Sequence, residues 1–420
     1  MRVPVSNSLP ISCIAVVLLG GVLAACQSKT DSGAVATQLD KKFALVAPQD
    51  SPGTWYRCYR GTLGPKTITL HLQALPAGTE NRTSTRFVGS YSGADGQPYE
   101  LSSDYDAIIT PDSVVVHDRS PELLDDNSNG PVWRLHRNGK ELLGTRAGQP
   151  VQLREVELPG STSFISLYFL DSVAAYPTQP KSVHGRTSLH VLVPTNGPEA
   201  ARSALAAGML RGLRGDSLDT NAVPSSPEQF WQQQRSAFRK EYQQSVTDLT
   251  KDRPAEPDTS TDAPSYNYML RYEDQVATHV FWNQQNLLSL GFFAYSYTGG
   301  AHGNYGTSAV TFDTRTGRAL RFPDIFRPNS DAQLSVLLEQ AVRRVLHQPA
   351  TTKLDEFLFV KKMPVSHNVY LTSSGAVFIY TPYEIASYAR GELRVFVPQA
   401  QLRPLLKPNL PISGGEVSQR

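Results

Sequence analysis

Apolar and polar residues alternate with a period of two through the first third of the chain. Thr67-Ile68-Thr69-Leu70-His71-Leu72 shows it clearly, and residues 86–91, 113–117 and 132–136 repeat it. That spacing sets one face of a strand on a core and the other in water. Asn138-Gly139 separates Trp133-Arg134-Leu135-His136 from Glu141-Leu142-Leu143-Gly144, and such a pair tolerates the positive φ angles of a tight hairpin turn. Residues 54–157 are therefore expected to form a small all-β domain.

From residue 161 the pattern becomes mixed. Strand-like alternation at 163–169 and 188–193 is followed by an Ala- and Leu-rich segment that Pro198 opens and that ends near 212–215. Ser226-Pro227-Glu228-Gln229 places a capping oxygen, a first-turn proline and a glutamine able to reach back ahead of Phe230 and Trp231, which predicts a helix to about Asp248. Residues 251–264, with Pro254, Pro257 and Pro264, read as an exposed loop. Strands are expected again at 266–272, 276–282, 287–297, 308–313 and 319–322, with Thr314-Arg315-Thr316-Gly317 as a turn. Ser330-Asp331-Ala332-Gln333 resembles a second capping box, and Leu334, Leu337, Leu338, Ala341, Val342 and Val345 form a helical stripe behind it. Further strands are expected at 366–370, 376–380 and 393–397. Strands, helices and strands without regular βαβ alternation make the class α+β. This half divides into a first part, 161–264, a second part, 265–405, and a tail, 406–420.

Composition narrows the function. Among 420 residues, 40 are Lys or Arg and 38 are Asp or Glu, without the clustered basic runs on which phosphate-backbone binding rests. Nucleic acid is not an expected partner. Residues 11–25 are apolar but only 15 long, short of the roughly 20 that a spanning helix needs. They end in Leu23-Ala24-Ala25-Cys26, which resembles the bacterial lipobox. Residues 1–25 thus read as a lipoprotein signal peptide, Cys26 as the lipid attachment point and 26–53 as a flexible tether. Gln27 follows the cysteine, so the expected location is the outer membrane, held through the lipid. Cys58 is left without an obvious partner and reads as a buried small hydrophobe.

Phe293-Ala294-Tyr295-Ser296-Tyr297-Thr298-Gly299-Gly300-Ala301-His302-Gly303, Phe312-Asp313-Thr314-Arg315-Thr316-Gly317, Asp324-Ile325-Phe326 and Tyr383-Glu384-Ile385-Ala386 together resemble the extracytoplasmic RsiV-like domain family. That domain occurs in a lysozyme-binding anti-sigma factor and beside the catalytic domain of the peptidoglycan deacetylase PdaC. The resemblance spans roughly residues 164–405 and leaves the β domain outside. It implies an RsiV-like α+β domain with an antiparallel sheet and packed helices, acting as a non-catalytic binding module for lysozyme-like proteins or peptidoglycan-related ligands. Anti-sigma activity is not expected, because only ten residues precede the apolar segment. The deacetylase's catalytic domain is not expected either, because only a short tail follows residue 405. The family's Glu-Ile-Ala-Pro-Tyr loop stands here as Glu384-Ile385-Ala386-Ser387-Tyr388, without the proline that would pre-organise it.

The candidate binding residues are Tyr297, Thr298, Gly299, Gly300, His302 and Tyr305 on one loop and Tyr383, Glu384 and Tyr388 on another. Glycines around His302 let backbone approach a ligand closely. The rival reading is a hydrolase or deacetylase-like enzyme built on His302, Asp313 and Glu384, which requires those three side chains to converge. A third reading is an envelope scaffold with the β domain as its working part. Position 314 is threonine, where a deacetylase metal site needs a second aspartate, and no His-x-x-x-His pair occurs. Asp125-Asp126-Asn127-Ser128-Asn129-Gly130 matches the first half of a calcium loop, but position twelve is His136. A solvated loop is the simpler reading there. No catalytic residue, metal or cofactor is expected.

Overall fold

The computed structural model describes residues 49–76, 85–104, 112–124, 130–179, 182–215, 224–251, 269–408 and 410–411. The lipobox, Cys26, most of the tether, Asp125 to Asn129 and nearly all of the 251–264 segment lie outside them.

Eight antiparallel strands form a closed barrel: β1 (Trp55–Leu63), β2 (Lys66–Pro76), β3 (Thr85–Ser92), β4 (Pro98–Ser102), β5 (Ser113–Asp118), β6 (Val132–Asn138), β7 (Glu141–Arg146) and β8 (Gln149–Glu155). Closure is the β1–β8 pairing, Tyr59 opposite Glu155 through Leu63 opposite Val151. Alternate residues turn inward, so Tyr59, Leu70, Leu72, Phe87, Trp133 and Leu142 fill the interior. Asp118 is buried among them and accepts from Trp133 Nε1 at 3.0 Å and Arg146 Nε at 2.9 Å. The β6–β7 hairpin turns on Gly139 and Lys140, with Asn138 still paired to Glu141 and Gly139 at φ 57°.

The α+β half is built on a six-stranded sheet of order β14-β13-β12-β11-β10-β9. Its strands are β9 (Phe164–Ala174), β10 (His184–Pro194), β11 (Tyr272–Gln284), β12 (Leu287–Thr298), β13 (Asn304–Asp313) and β14 (Arg318–Leu320). All neighbours are antiparallel except β10 and β11, which are parallel from Arg186 opposite Glu273 to His190 opposite Ala277. A parallel pair needs a crossover, and helices α1 (Glu199–Leu213) and α2 (Pro227–Thr250) lie within it. Both pack on this sheet through Leu205, Met209, Phe230 and Trp231. A second sheet of β15 (Val369–Thr372), β16 (Gly375–Tyr380) and β17 (Leu393–Pro398) shares a core with α4 (Asp331–Val345), the short α3 (Phe322–Ile325) and α5 (Gln399–Leu402). Among the described residues no helix is long and apolar enough to cross a membrane.

Several local expectations change. Ser226 does cap α2, accepting from Gln229 N at 3.2 Å, but Gln229 Oε1 reaches Ser225 instead of the cap backbone. Ser330 makes no side-chain cap: it is itself in the right-handed helical region (φ −79°, ψ −13°), and its buried Oγ has no partner. Met269 and Leu270 form a helical turn where a strand was expected, and Phe322 opens α3 instead of ending a strand.

The C-terminal half of the polar face of β2 is also not in water. His71 and Gln73 are 2% and 1% exposed because β2 lies against β11 of the sheet. Tyr56 Oη meets His71 Nδ1 at 2.9 Å, and Asn283 Nδ2 donates to Tyr56 Oη at 3.1 Å. The barrel and the α+β half thus pack together within one compact unit, Asp50–Arg420.

Candidate functional site

The first candidate loop joins β12 to β13. Gly299 has φ 81°, and a Cβ there would come within 2.3 Å of the Met269 carbonyl oxygen. A Cβ on Gly303 would strike the Tyr295 ring at 2.4 Å, so the loop backbone lies directly on that ring. His302, between them, is exposed.

The second loop joins β16 to β17. Ile385 and Ala386 are buried in the core shared with α4, which anchors the middle of the loop. Tyr383 is held at φ 70°, uncommon for a residue other than glycine, and its N–H donates to the Ala386 carbonyl at 3.1 Å. Its side chain is 56% exposed, one of the few large aromatic groups so displayed among the described residues. Glu384 turns back on its own loop and accepts from Thr381 N at 2.9 Å; burial raises its pKa above the usual carboxylate range.

The two loops meet. The His302 and Tyr388 rings stack with centroids 4.0 Å apart and 25° between planes. Tyr388 Oη donates to the Gly303 carbonyl at 2.6 Å, and His302 Nδ1 lies 3.0 Å from the same oxygen. Because that oxygen can only accept, Nδ1 carries the proton and Nε2 is left as the acceptor. Tyr383 Oη stands 3.4 Å from Nε2. Tyr305 packs edge-on against Tyr388 at 5.7 Å. The result is a half-exposed aromatic platform with one imidazole nitrogen available, suited to stacking and to one or two directional hydrogen bonds.

Not every candidate joins this platform. Tyr297 and Thr298 line a separate cavity of about 170 Å³ with Gln234, Tyr242 and Asp274. Gly299 and Gly300 shape the loop backbone. Asp313 sits at the far end of β13, nine residues and roughly 30 Å of strand from Asn304. It is engaged by Arg315, whose hydrogen bonds hold its carboxyl below the usual range. His302, Asp313 and Glu384 therefore do not form one constellation.

A charged cleft next to the platform went unrecognised in the sequence. Arg394 on β17 bonds Glu392 at 2.8 Å and Glu100, from barrel strand β4, at 2.9 Å, and its guanidinium lies 4.4 Å from the Phe281 ring centroid. Glu392 also accepts from Thr307 N at 2.9 Å. Burial pushes Glu100 up to about 7. The available signal was charge at alternate positions, Glu392 just ahead of β17 and Arg394 inside that otherwise apolar strand.

Residues 323–400 match the family described as protein of unknown function (DUF3298), and residues 219–305 match the one described as deacetylase PdaC. Together the two matches cover less than half of the chain. The DUF3298 match contains Tyr383 and Tyr388, the PdaC match contains His302, and the platform therefore brings the two matched segments together. The barrel lies outside both. A member of the DUF3298 family from Bacteroides fragilis matches in structure with a TM-score of 0.51 and 20% identity, covering 60% of this chain and 96% of that one, a likeness of fold. A DUF3298 family protein from Pseudomonas aeruginosa PAO1 matches with a TM-score of 0.41 and 19% identity over 60% of this chain and 96% of that one. A search of curated proteins finds no match.

Proposed function

We propose that this chain is a cell-envelope binding protein, tethered by a lipid on Cys26, that recognises a lysozyme-like protein or a peptidoglycan-related ligand through the His302–Tyr383–Tyr388 platform. The observation that carries this reading is the stacking of His302 on Tyr388, two residues from loops about eighty positions apart. Tyr383 supplies the exposed anchor. Aromatic side chains with a polar tip lose little conformational entropy on binding and are enriched where partners dock. The match of residues 219–305 to a family described as a deacetylase of the PdaC type adds a link to the envelope. Binding without catalysis is favoured because the candidate acid–base groups are far apart or turned into their own loops.

An affinity measurement of the purified protein against lysozyme and against soluble peptidoglycan fragments tests this. Saturable binding that Tyr383→Ala weakens by about tenfold or more supports it, in line with the loss of an aromatic anchor. Binding to neither, or binding that the substitution leaves unchanged, would show that the platform does not recognise these ligands.

A further inference from the structure

The cleft beside the platform is dense in charge yet neutral as a whole. It lies between barrel strands β3 and β4 and sheet strands β11, β12, β13 and β17, with a volume of about 260 Å³. Four guanidinium groups line it, Arg86, Arg119, Arg390 and Arg394, together with Glu100 and Glu392. Asp104 on Arg119 and Glu122 beside Glu100 bring the carboxylates to four as well. Arg394 is shared between Glu100 and Glu392, so an ion of either sign finds no surplus of counter-charge. Two lining groups are uncommitted. His279 is held neutral well below the usual imidazole range, first by burial and next by Arg86 and Arg394. Among the described residues neither of its ring nitrogens is hydrogen-bonded, so it offers the cleft one donor and one acceptor. Arg390, exposed at the mouth, is bonded through its side chain to no other described residue. Phe293 and Tyr305 give an aromatic wall, with Phe293 backed by His279 in a stack at 5.6 Å.

We propose that this junction cleft binds one neutral sugar ring of about hexose size, with hydroxyls on His279 and Arg390 and its body against Phe293 and Tyr305. A hydroxyl both donates and accepts, so a ring of hydroxyls uses carboxylate, imidazole and guanidinium edges alike. A charged ligand uses only one kind. The aromatic wall matches the apolar C–H face of such a ring. Ligand pockets concentrate at such junctions and run to roughly 300 Å³ and above, so this one, just below, takes a single ring. The Glu100–Arg394–Glu392 chain holds the barrel wall at a fixed distance from the sheet and keeps the cleft open. The assignment goes beyond the loop platform and does not depend on what the platform binds.

Titration calorimetry of the full-length protein with glucose, galactose and mannose, each beside its uronate, tests it, because hexose and uronate share the ring and differ in charge. The expected result is saturable binding of at least one hexose, no weaker than that of its uronate. His279→Phe keeps a ring stacked on Phe293 and removes both hydrogen-bonding nitrogens. It is expected to weaken the hexose by about fivefold or more, the effect of losing one hydrogen bond, while the melting temperature is kept. Arg390→Ala, on the exposed side, is expected to do the same. Should His279→Phe fail to melt cooperatively, Arg390→Ala alone decides. No saturable heat with any of the three hexoses, tighter binding of the uronate, or a hexose affinity that a folded variant leaves unchanged would each overturn the proposal.

Discussion

The side chain of Gln73, from the barrel, takes the place of a neighbouring strand beside Val280. β10 stops pairing with β11 at Ala277. Directly beyond, Gln73 Oε1 accepts from Val280 N at 2.7 Å and its Nε2 donates to the Thr278 carbonyl at 2.9 Å. One amide group thus continues the ladder of the α+β sheet from inside the barrel. Ser90 adds a bond from β3 to the Phe281 carbonyl at 3.1 Å. The barrel is therefore joined to the sheet by backbone-directed hydrogen bonds as well as by apolar packing.

Gln73→Ala should destabilise the protein by about 1–3 kcal/mol, because it strands a buried Val280 N–H without an acceptor. Thr278 suffers less, since His190 Nδ1 also stands 3.1 Å from its carbonyl oxygen. Urea unfolding checks this; a midpoint equal to that of the parent protein would show that the contact contributes nothing.

Ser387 stands where the resembled family has proline, yet it already holds φ −65° and ψ 157°, the φ that a proline ring imposes. The loop keeps that shape through Tyr388 Oη on the Gly303 carbonyl and through the Tyr383-to-Ala386 bond. Ser387→Pro is therefore expected to stabilise by about 0.4–1 kcal/mol, by restricting the unfolded chain. A fall in melting temperature would mean that the Ser387 backbone is strained by the ring.

Stability responds to pH through buried groups of opposite sign. Burial lowers His71 and His190 from 6.5 to about 4. Between those values the unfolded chain binds more protons than the folded one. Both histidines therefore contribute stability that is present above pH 6.5 and lost as pH falls toward 4. Glu100 runs the other way: its folded pKa of about 7 exceeds 4.5, so its contribution is present below pH 4.5 and lost as pH rises through 7. Glu100→Gln should remove that opposing effect and steepen the loss of stability on acidification between pH 7 and 4.5, by up to about 1.4 kcal/mol per pH unit. Parallel pH profiles of the two proteins would contradict it.

Much of this architecture was legible from residue patterns. Alternation located most strands, and Ser226-Pro227 located the start of α2. The Tyr-x-Tyr-Thr-Gly-Gly-Ala-His segment and the Tyr383-to-Tyr388 loop pointed to the two stretches that do meet. Period-two spacing gives the two faces of a strand but not what covers the second one, so His71 reads as solvated although β11 buries it. Local capping chemistry cannot foresee a backbone already wound at Ser330. Barrel closure, the parallel β10–β11 pair and the Glu100–Arg394 bridge depend on contacts between distant segments, for which no local pattern exists. The separation of Asp313 from His302 is of the same kind: eleven residues apart in sequence, they sit toward opposite ends of one extended strand.

Whether two distant loops act as one recognition surface is tested by a double-mutant cycle. Affinity for lysozyme or a peptidoglycan fragment would be measured for the parent protein, His302→Ala, Tyr383→Ala and the double variant. Each single substitution is expected to weaken binding, and the double variant to be weaker by less than the sum, with a coupling of about 0.5 kcal/mol or more. Strictly additive losses, or a loss confined to one loop, would show that His302 and Tyr383 do not share a surface.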